Sequence, residues 1–507
     1  MSSGAHNFGT VALLSTLAAL AYALLHAFRR LRLALVGKSL PPGPLGVPLL
    51  GALPFMVARP EVALNQWAQK YGPLYSVWLG EQLHVVVSDL GIAKGLFETQ
   101  NMVFSSRKET FLKSGIVFAG RGISAASFGE SWCRNHRLVA KYLNSDAVPD
   151  YLAGLEVETA EMLKALYIKS QGGTLPLDPH PHFARTSLNN LLTVLFGLRT
   201  DTVDHPLVAH WLKLTQEYTR ITAPLSNAVD FVPGLRRFPA WTGIGRARRL
   251  HQSVVGTCSA LVSDVDRRMK AEEDVPDCLA RHLLKAKEEE SLDDLDVVVL
   301  CAELMLAAVE KTAAVVSSLV AEIAGNADVQ ARGQAELDRV VGRDRLPGSE
   351  HEKDLPYISA IVKETERLHN PLPLGVPHMN TEDATYRGHF IPKNSVIILN
   401  TTAMTHDASL YGEPNKFDPE RHLKGTAKST DQGYPIFGIG PRACLGKPLA
   451  QHEIQLAAAG ILWAFEIERV DTSADATAQE DAPAPLRVKL TPRHNRVSAV
   501  LGYAKAA

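Results

Sequence analysis

A lone cysteine sits in Phe437-Gly438-Ile439-Gly440-Pro441-Arg442-Ala443-Cys444-Leu445-Gly446, directly ahead of an apolar helical pattern. Glycines let a backbone approach another group closely, and a helix start offers unpaired N–H groups to an anion. A thiolate is such an anion, and an arginine two residues away suits a flat, anionic metal cofactor. A second anomaly is Glu310-Lys311, followed by Thr312, within the apolar run VVVLCAELMLAAVEKTAAVV. Buried charges are costly unless they are paired or used. A third is Glu364 and Arg367 in KETERLHN. Three residues apart, they share a helix face and can pair. Such pairs are usually surface decoration, so position alone gives this one weight.

These residues need elements to hold them. The helix carrying the charged pair is predicted from Ser291 to Gly325, with Ser291 and Asp294 as a capping box. Roughly 33 residues make it about 50 Å long, enough to cross a domain. Its apolar character on nearly every face predicts burial on all sides. Tyr75 to Asp89, YSVWLGEQLHVVVSD, reads as two short strands around Gly80-Glu81-Gln82. From about residue 130 the pattern is mostly helical, and no internal repeat is visible. Leu40 to Gly51, LPPGPLGVPLLG, is stiffened by Pro41, Pro42, Pro44 and Pro48 and is expected as a semi-rigid strap. Ser473 to Pro485 is polar and Ala/Pro-rich, and is expected as a surface loop.

Composition narrows the partners. Among 507 residues, 53 basic and 54 acidic side chains give a net charge of −1. Nothing in that balance calls for nucleic acid or another polyanion. Cys133, Cys258, Cys278, Cys301 and Cys444 are odd in number, scattered, and free of any C-x-x-C pair. That argues against a disulfide framework or a structural zinc site, and fits a reducing compartment. Gly9 to Phe28, GTVALLSTLAALAYALLHAF, is free of Asp, Glu, Lys and Arg. Its helix would span about 30 Å, the thickness of a bilayer core. Arg29, Arg30, Arg32 and Lys38 follow, so the positive-inside rule places the rest on the cytoplasmic side. The competing reading, a cleaved signal peptide, expects a basic start and a shorter apolar core.

Taken together, these features resemble the cytochrome P450 family of haem-thiolate oxygenases, over roughly residues 40 to 500. The pattern F-x-x-G-x-R-x-C-x-G is complete in Phe437, Gly440, Arg442, Cys444 and Gly446. The resemblance implies that Cys444 is the axial ligand of haem iron and that Arg442 binds a haem propionate. A thiolate pushes electron density onto iron and favours O–O cleavage. It also implies that Glu364 and Arg367 form a structural network with Arg421 of Pro419-Glu420-Arg421. SWCRNHRL resembles the family's W-x-x-x-R helix: Trp132 matches, His136 stands in the arginine's place, and Arg137 is next. In PLGVPHMN, His378 falls where many members carry a basic propionate ligand.

AAVEKT resembles the pattern [A/G]-G-x-[D/E]-T-T, with Ala307, Ala308 and Glu310 as matches and Thr312 in the second threonine's place. Lys311 replaces the first threonine, whose hydroxyl in the family helps deliver protons to iron-bound dioxygen. Lysine brings three donors, and desolvation lowers its pKa. Three readings stay open. Lys311 is itself the proton donor, tuned by Glu310. It bends away to pair with an acid, leaving Thr312 or a substrate hydroxyl to support proton transfer. Or oxygen activation is impaired and the haem rearranges or dehydrates its substrate. The resemblance places the substrate pocket near Ile116 to Ser124, Leu304, Ala308, Leu374 and Val376, mostly apolar as small-molecule sites are. Phe231 to Gly243 reads equally as a membrane-touching loop or a solvent loop.

The expected fold is mainly α with a small β region, the haem-thiolate fold behind one N-terminal transmembrane helix. The expected divisions are a lumenal start (1–8), an anchor (9–28), a basic and proline-rich linker (29–51) and a catalytic domain (52–507). The expected activity is oxidation of an apolar small molecule at haem, using O2. No flavin or nicotinamide fingerprint is present. Electrons would therefore come from NADPH-cytochrome P450 reductase at the endoplasmic reticulum bilayer. The rivals are a haem-thiolate isomerase, dehydratase or coupling enzyme, a non-catalytic haem-binding protein, and a tethered scaffold without haem.

Overall fold

A computed structural model describes residues 37–502, apart from 57–58, 224–226, 424–434 and 471–485, together with isolated positions 20, 21, 24 and 35. The expected anchor over residues 9–28 falls almost wholly outside the described residues, and the expected 473–485 loop wholly outside. Among the described residues, no helix is long and apolar enough to cross a membrane.

Helices dominate. Those of eight residues or more are α1 (Pro60–Tyr71), α2 (Glu130–Leu143), α3 (Leu152–Lys169), α4 (His180–Phe196), α5 (Pro206–Thr222), α6 (Ile244–Lys270), α7 (Leu279–Ala286), α8 (Asp294–Gly325), α9 (Ala327–Val340), α10 (Pro356–Leu368) and α11 (Lys447–Ala464). The strands are β1 (Leu74–Leu79), β2 (Gln82–Val87), β3 (His378–Met379), β4 (Ala384–Tyr386), β5 (His389–Ile391), β6 (Val396–Leu399), β7 (Phe465–Arg469) and β8 (Val488–Pro492). One four-stranded sheet runs β1-β2-β6-β3, and the pairs β4-β5 and β7-β8 stand apart. The predicted hairpin is present, with Leu79 opposite Gln82 and Gly80 at φ +59 in the turn. A side chain at Gly80 would collide with the Phe231 carbonyl, 2.5 Å from the Cβ position.

The long helix α8 is the axis of the molecule. Its apolar residues go round the whole circumference, and α4, α5, α6, α10 and α11 all pack on it. Each fully buried Val or Leu contributes about 1.5–3 kcal/mol, so the helix is held by its neighbours rather than by propensity. The cap lies two residues beyond the predicted one. Asp293 accepts from the Asp296 N–H at 2.8 Å, and Asp296 reciprocates at 3.0 Å. Ser291 has φ +51 and closes the preceding turn, a left-handed conformation unsuited to an N-cap.

The proline strap is pinned to the hairpin: Ser76 N–H donates to Pro42 O and its hydroxyl to Pro41 O, both at 2.7 Å. Without backbone donors of its own to spare, a proline-rich segment uses its carbonyls this way. The large core lies between the helices, and two smaller clusters cover the sheet.

Candidate functional site

The cysteine loop runs between two short turns and α11. Cys444 N–H donates to Phe437 O at 2.7 Å, closing the loop. Gly438 and Gly440 have φ of +79 and +67, and a Cβ on Gly440 would sit 2.1 Å from Phe97 O. That glycine is therefore dictated by both conformation and space. Cys444 is accessible to solvent, so its sulfur is open to a ligand. Burial pushes its thiol up, while the N–H groups of Gly446 and Lys447 and the charge of Lys311 oppose that shift. Lys311 on α8 and Cys444 thus lie within electrostatic reach, which links the two sequence anomalies.

A cluster of buried donors gathers around Arg442. Arg442 donates to Ser105 O at 2.7 Å, Ile123 O at 3.1 Å and Ala126 O at 2.9 Å, and its guanidinium lies 4.1 Å from the Trp132 ring centre. Arg107 donates to Val376 O. Burial and the neighbouring Arg442 push Arg107 down to about 9, and burial pushes Arg442 down to about 10. Guanidinium does not give up its proton under ordinary conditions, so the direction means that both cations are held in a desolvated place. Among the described residues, neither forms an ion pair, and Arg107 Nε and Trp132 Nε1 are buried without a hydrogen-bond partner. Two carboxylates beside these groups would satisfy them, which is what haem brings in its propionates. The donor set fits the cofactor.

The remaining cofactor candidates divide. His136 stacks on Trp132 at 4.7 Å, and burial and Arg442 lower its pKa. Arg137 is exposed and paired in two bonds with Glu290, apart from the cluster. His378 is buried on β3, with Nδ1 2.9 Å from Phe104 O. Burial, Arg107 and Arg442 keep it neutral. A carbonyl only accepts, so the proton sits on Nδ1 and Nε2 is left as an acceptor; this ring donates to a carboxylate only after gaining a proton.

The Glu364–Arg367–Arg421 trio is assembled deep in the core. Arg367 donates to both Glu364 oxygens at 2.8 Å, and Arg421 Nε reaches Oε1 at 3.0 Å. His422 is a fourth member at 2.8 Å from Oε2, flagged by nothing except adjacency to Arg421. Arg367 also donates to Thr405 O and Pro414 O, at 2.8 and 2.7 Å, tying α10 to the segment that leads into the cysteine loop.

On α8 the charged pair separates. Lys311 Nζ folds back to Ala307 O at 2.8 Å. Glu310 turns to His180 of α4, with Nε2 3.2 Å from its Oε1, and this partner raises the His180 pKa. On its other side the His180 ring meets the Ser317 hydroxyl, with Nδ1 3.0 Å from Oγ. Thr312 is buried. Leu304 and Ala308 are partly buried on the same helix, Val376 carries the carbonyl that Arg107 holds, and Leu374 is buried in a sheet cluster.

Spacing did not reveal three further residues. Glu303, buried on α8, accepts from Ile123 N–H at 2.6 Å, Ser124 N–H at 2.8 Å and the Ser124 hydroxyl, clamping that loop to α8. Arg107 and Lys113 lie in FSSRKETFLKSG, where no pattern marks them.

Comparison with known proteins agrees with this geometry. The sequence profile of the family described as Cytochrome P450 matches residues 41–493. A cytochrome P450 monooxygenase of Aspergillus ruber, fogE, is 30% identical, with 86% of this chain and 82% of that one covered. Another from Aspergillus niger, yanC, is 29% identical with 90% of each covered, and one from Armillaria gallica is 28% identical with 92% and 93% covered. The chain belongs to the cytochrome P450 family, whose cofactor is haem with a thiolate ligand.

Proposed function

We propose that the protein is a membrane-anchored monooxygenase of the endoplasmic reticulum that oxidises a small molecule of specialised metabolism. Its electrons come from NADPH through a separate reductase docking on the cysteine side. The observation that carries the haem site is a solvent-accessible Cys444 together with the buried donors of Arg107, Arg442 and Trp132, which have no carboxylate partner among the described residues. Cys444 would supply the thiolate that holds the haem iron, its anionic form favoured by the N–H groups of Gly446 and Lys447. Arg107, Arg442, Trp132 and His136 receive the propionates. Haem, when bound, supplies the centre at which dioxygen is reduced and one oxygen atom is transferred.

The chain's own residues then orient substrate and manage protons. Leu304 and Ala308 offer an apolar wall, and Val376 a further contact. Lys311 Nζ donates to Ala307 O within electrostatic reach of Cys444 and holds exchangeable protons there, while Glu310 pairs with His180 at its flank. A second reading has one observation behind it: the ammonium occupies the place of a hydroxyl and is held to its own helix. On that reading the enzyme isomerises, dehydrates or couples its substrate. NADPH consumed in step with product separates the two. The thiolate ligand is tested by reducing the purified protein under carbon monoxide: wild type gives the shifted band of a thiolate-ligated haem, and Cys444→Ser does not. A serine variant retaining that band would refute the assignment.

A further inference from the structure

Near the loop that Glu303 holds, Lys113 has two other cations, Lys311 and Arg107, and that single carboxylate within electrostatic reach among the described residues. Lys113 lies on the helical segment Phe111–Val117, whose Phe111 and Leu112 N–H groups donate to Asp230 at 2.7 and 3.1 Å. The same segment packs on α5 and α6, so its position is held from both ends. Lys113 is only partly exposed, and among the described residues no hydrogen bond or ion pair reaches its ammonium. Glu303, Lys311 and Arg107 are within its electrostatic reach. Glu303 is the one carboxylate of that group, and it is committed to three donors of the loop. A Cβ on Gly122 would lie 2.4 Å from its Oε2, so the loop closes tightly on it. Among the described residues Lys311 has the Ala307 carbonyl as its hydrogen-bond partner, and Glu310 has turned to His180. Burial lowers Lys113 to about 8, with Lys311 and Arg107 adding to the shift and Glu303 opposing it, so it stays cationic at neutral pH.

We propose that the substrate is amphipathic and acidic: Lys113 receives its carboxylate while its apolar body lies along Leu304 and Ala308. This rests on the haem site described above. It refines the expected apolar substrate to one that also carries an anion, because a carboxylate offsets the charge of a partly desolvated ammonium with a second lysine in electrostatic reach. Lys113 is then a substrate-anchoring residue.

The test uses two azoles whose ring nitrogen ligates haem iron, so that binding is read from the haem spectrum whatever the tail does. The probes are para-imidazolylbenzoate and its primary amide, titrated into the full-length holoenzyme. A hydrogen bond to a charged group is worth about 1.5–3 kcal/mol, so the acid is expected to bind about tenfold or more tighter than the amide. Lys113→Met should bring that ratio close to one, and Lys113→Arg should keep most of it. Both variants should retain the wild-type carbon monoxide spectrum. Equal or weaker binding of the acid, no binding of either azole to a haem-loaded chain, or a preference that survives Lys113→Met would overturn the proposal. A chain without haem overturns it together with the site reading, an outcome the carbon monoxide spectrum tells apart.

Discussion

Replacing Glu364 by glutamine isolates the charge of the buried network while keeping its shape. The carboxyl is fully buried. Burial alone would raise its pKa, but Arg367, His422 and the Asp418 N–H together hold it at about 2, below the ordinary 4.5. At about 1.4 kcal/mol per pH unit, that difference stabilises the folded state by roughly 3 kcal/mol at neutral pH. Loss of the charge also leaves Arg367 and Arg421 buried without an anion, and breaking such a pair costs about 3–5 kcal/mol. Because the folded pKa lies below the unfolded one, the stabilisation is complete above pH 4.5 and is lost as the pH falls towards 2. By pH 3 roughly half of the linked term should be gone. Urea unfolding of wild type and Glu364→Gln, followed by circular dichroism at pH 7 and pH 3, measures both terms. The variant should be destabilised by about 3–5 kcal/mol at pH 7 and by clearly less at pH 3. A deficit that is absent at pH 7, or equal at the two values, would refute the electrostatic account.

Three other perturbations follow from the same geometry. Gly440→Ala must push a methyl into Phe97 O at a left-handed backbone position; it should cost at least about 1–2 kcal/mol and lower the haem content of purified protein, read as the haem-to-protein absorbance ratio. Arg107→Met removes a buried cation that has no ion-pair partner among the described residues; apoprotein should lose little stability while haem dissociates faster, measured by transfer to apomyoglobin. Lys311→Met should keep haem and ligand binding but lower product formed per NADPH if the ammonium supplies protons, whereas unchanged coupling, with Lys311→Thr equally tolerated, would make it a filler.

The local chemistry was readable in the chain because it depends on neighbours in sequence. Gly438 and Gly440 ahead of Cys444 sit where φ is positive, the Gly80 turn pairs two strands, and Glu364 meets Arg367 through helical spacing alone. Motif order supplied the third member, Arg421. The apolar circumference of the long helix announced its burial, though its cap was displaced by two residues because the cap depends on the φ of Ser291. Long-range partners were not readable. No spacing rule links Glu303 to Ile123 and Ser124, Arg107 to Val376, or Glu310 to His180, since each pair joins segments that only packing brings together.

The cofactor therefore belongs to the sequence, and the charge of the pocket to the fold. A thiolate loop is a local arrangement of glycines, one arginine and a helix start, legible wherever those residues are written in order. Whether a lysine is neutralised depends on which carboxylates the folded chain leaves free, and that is decided only once Glu303 has closed on its loop and Glu310 has turned towards His180.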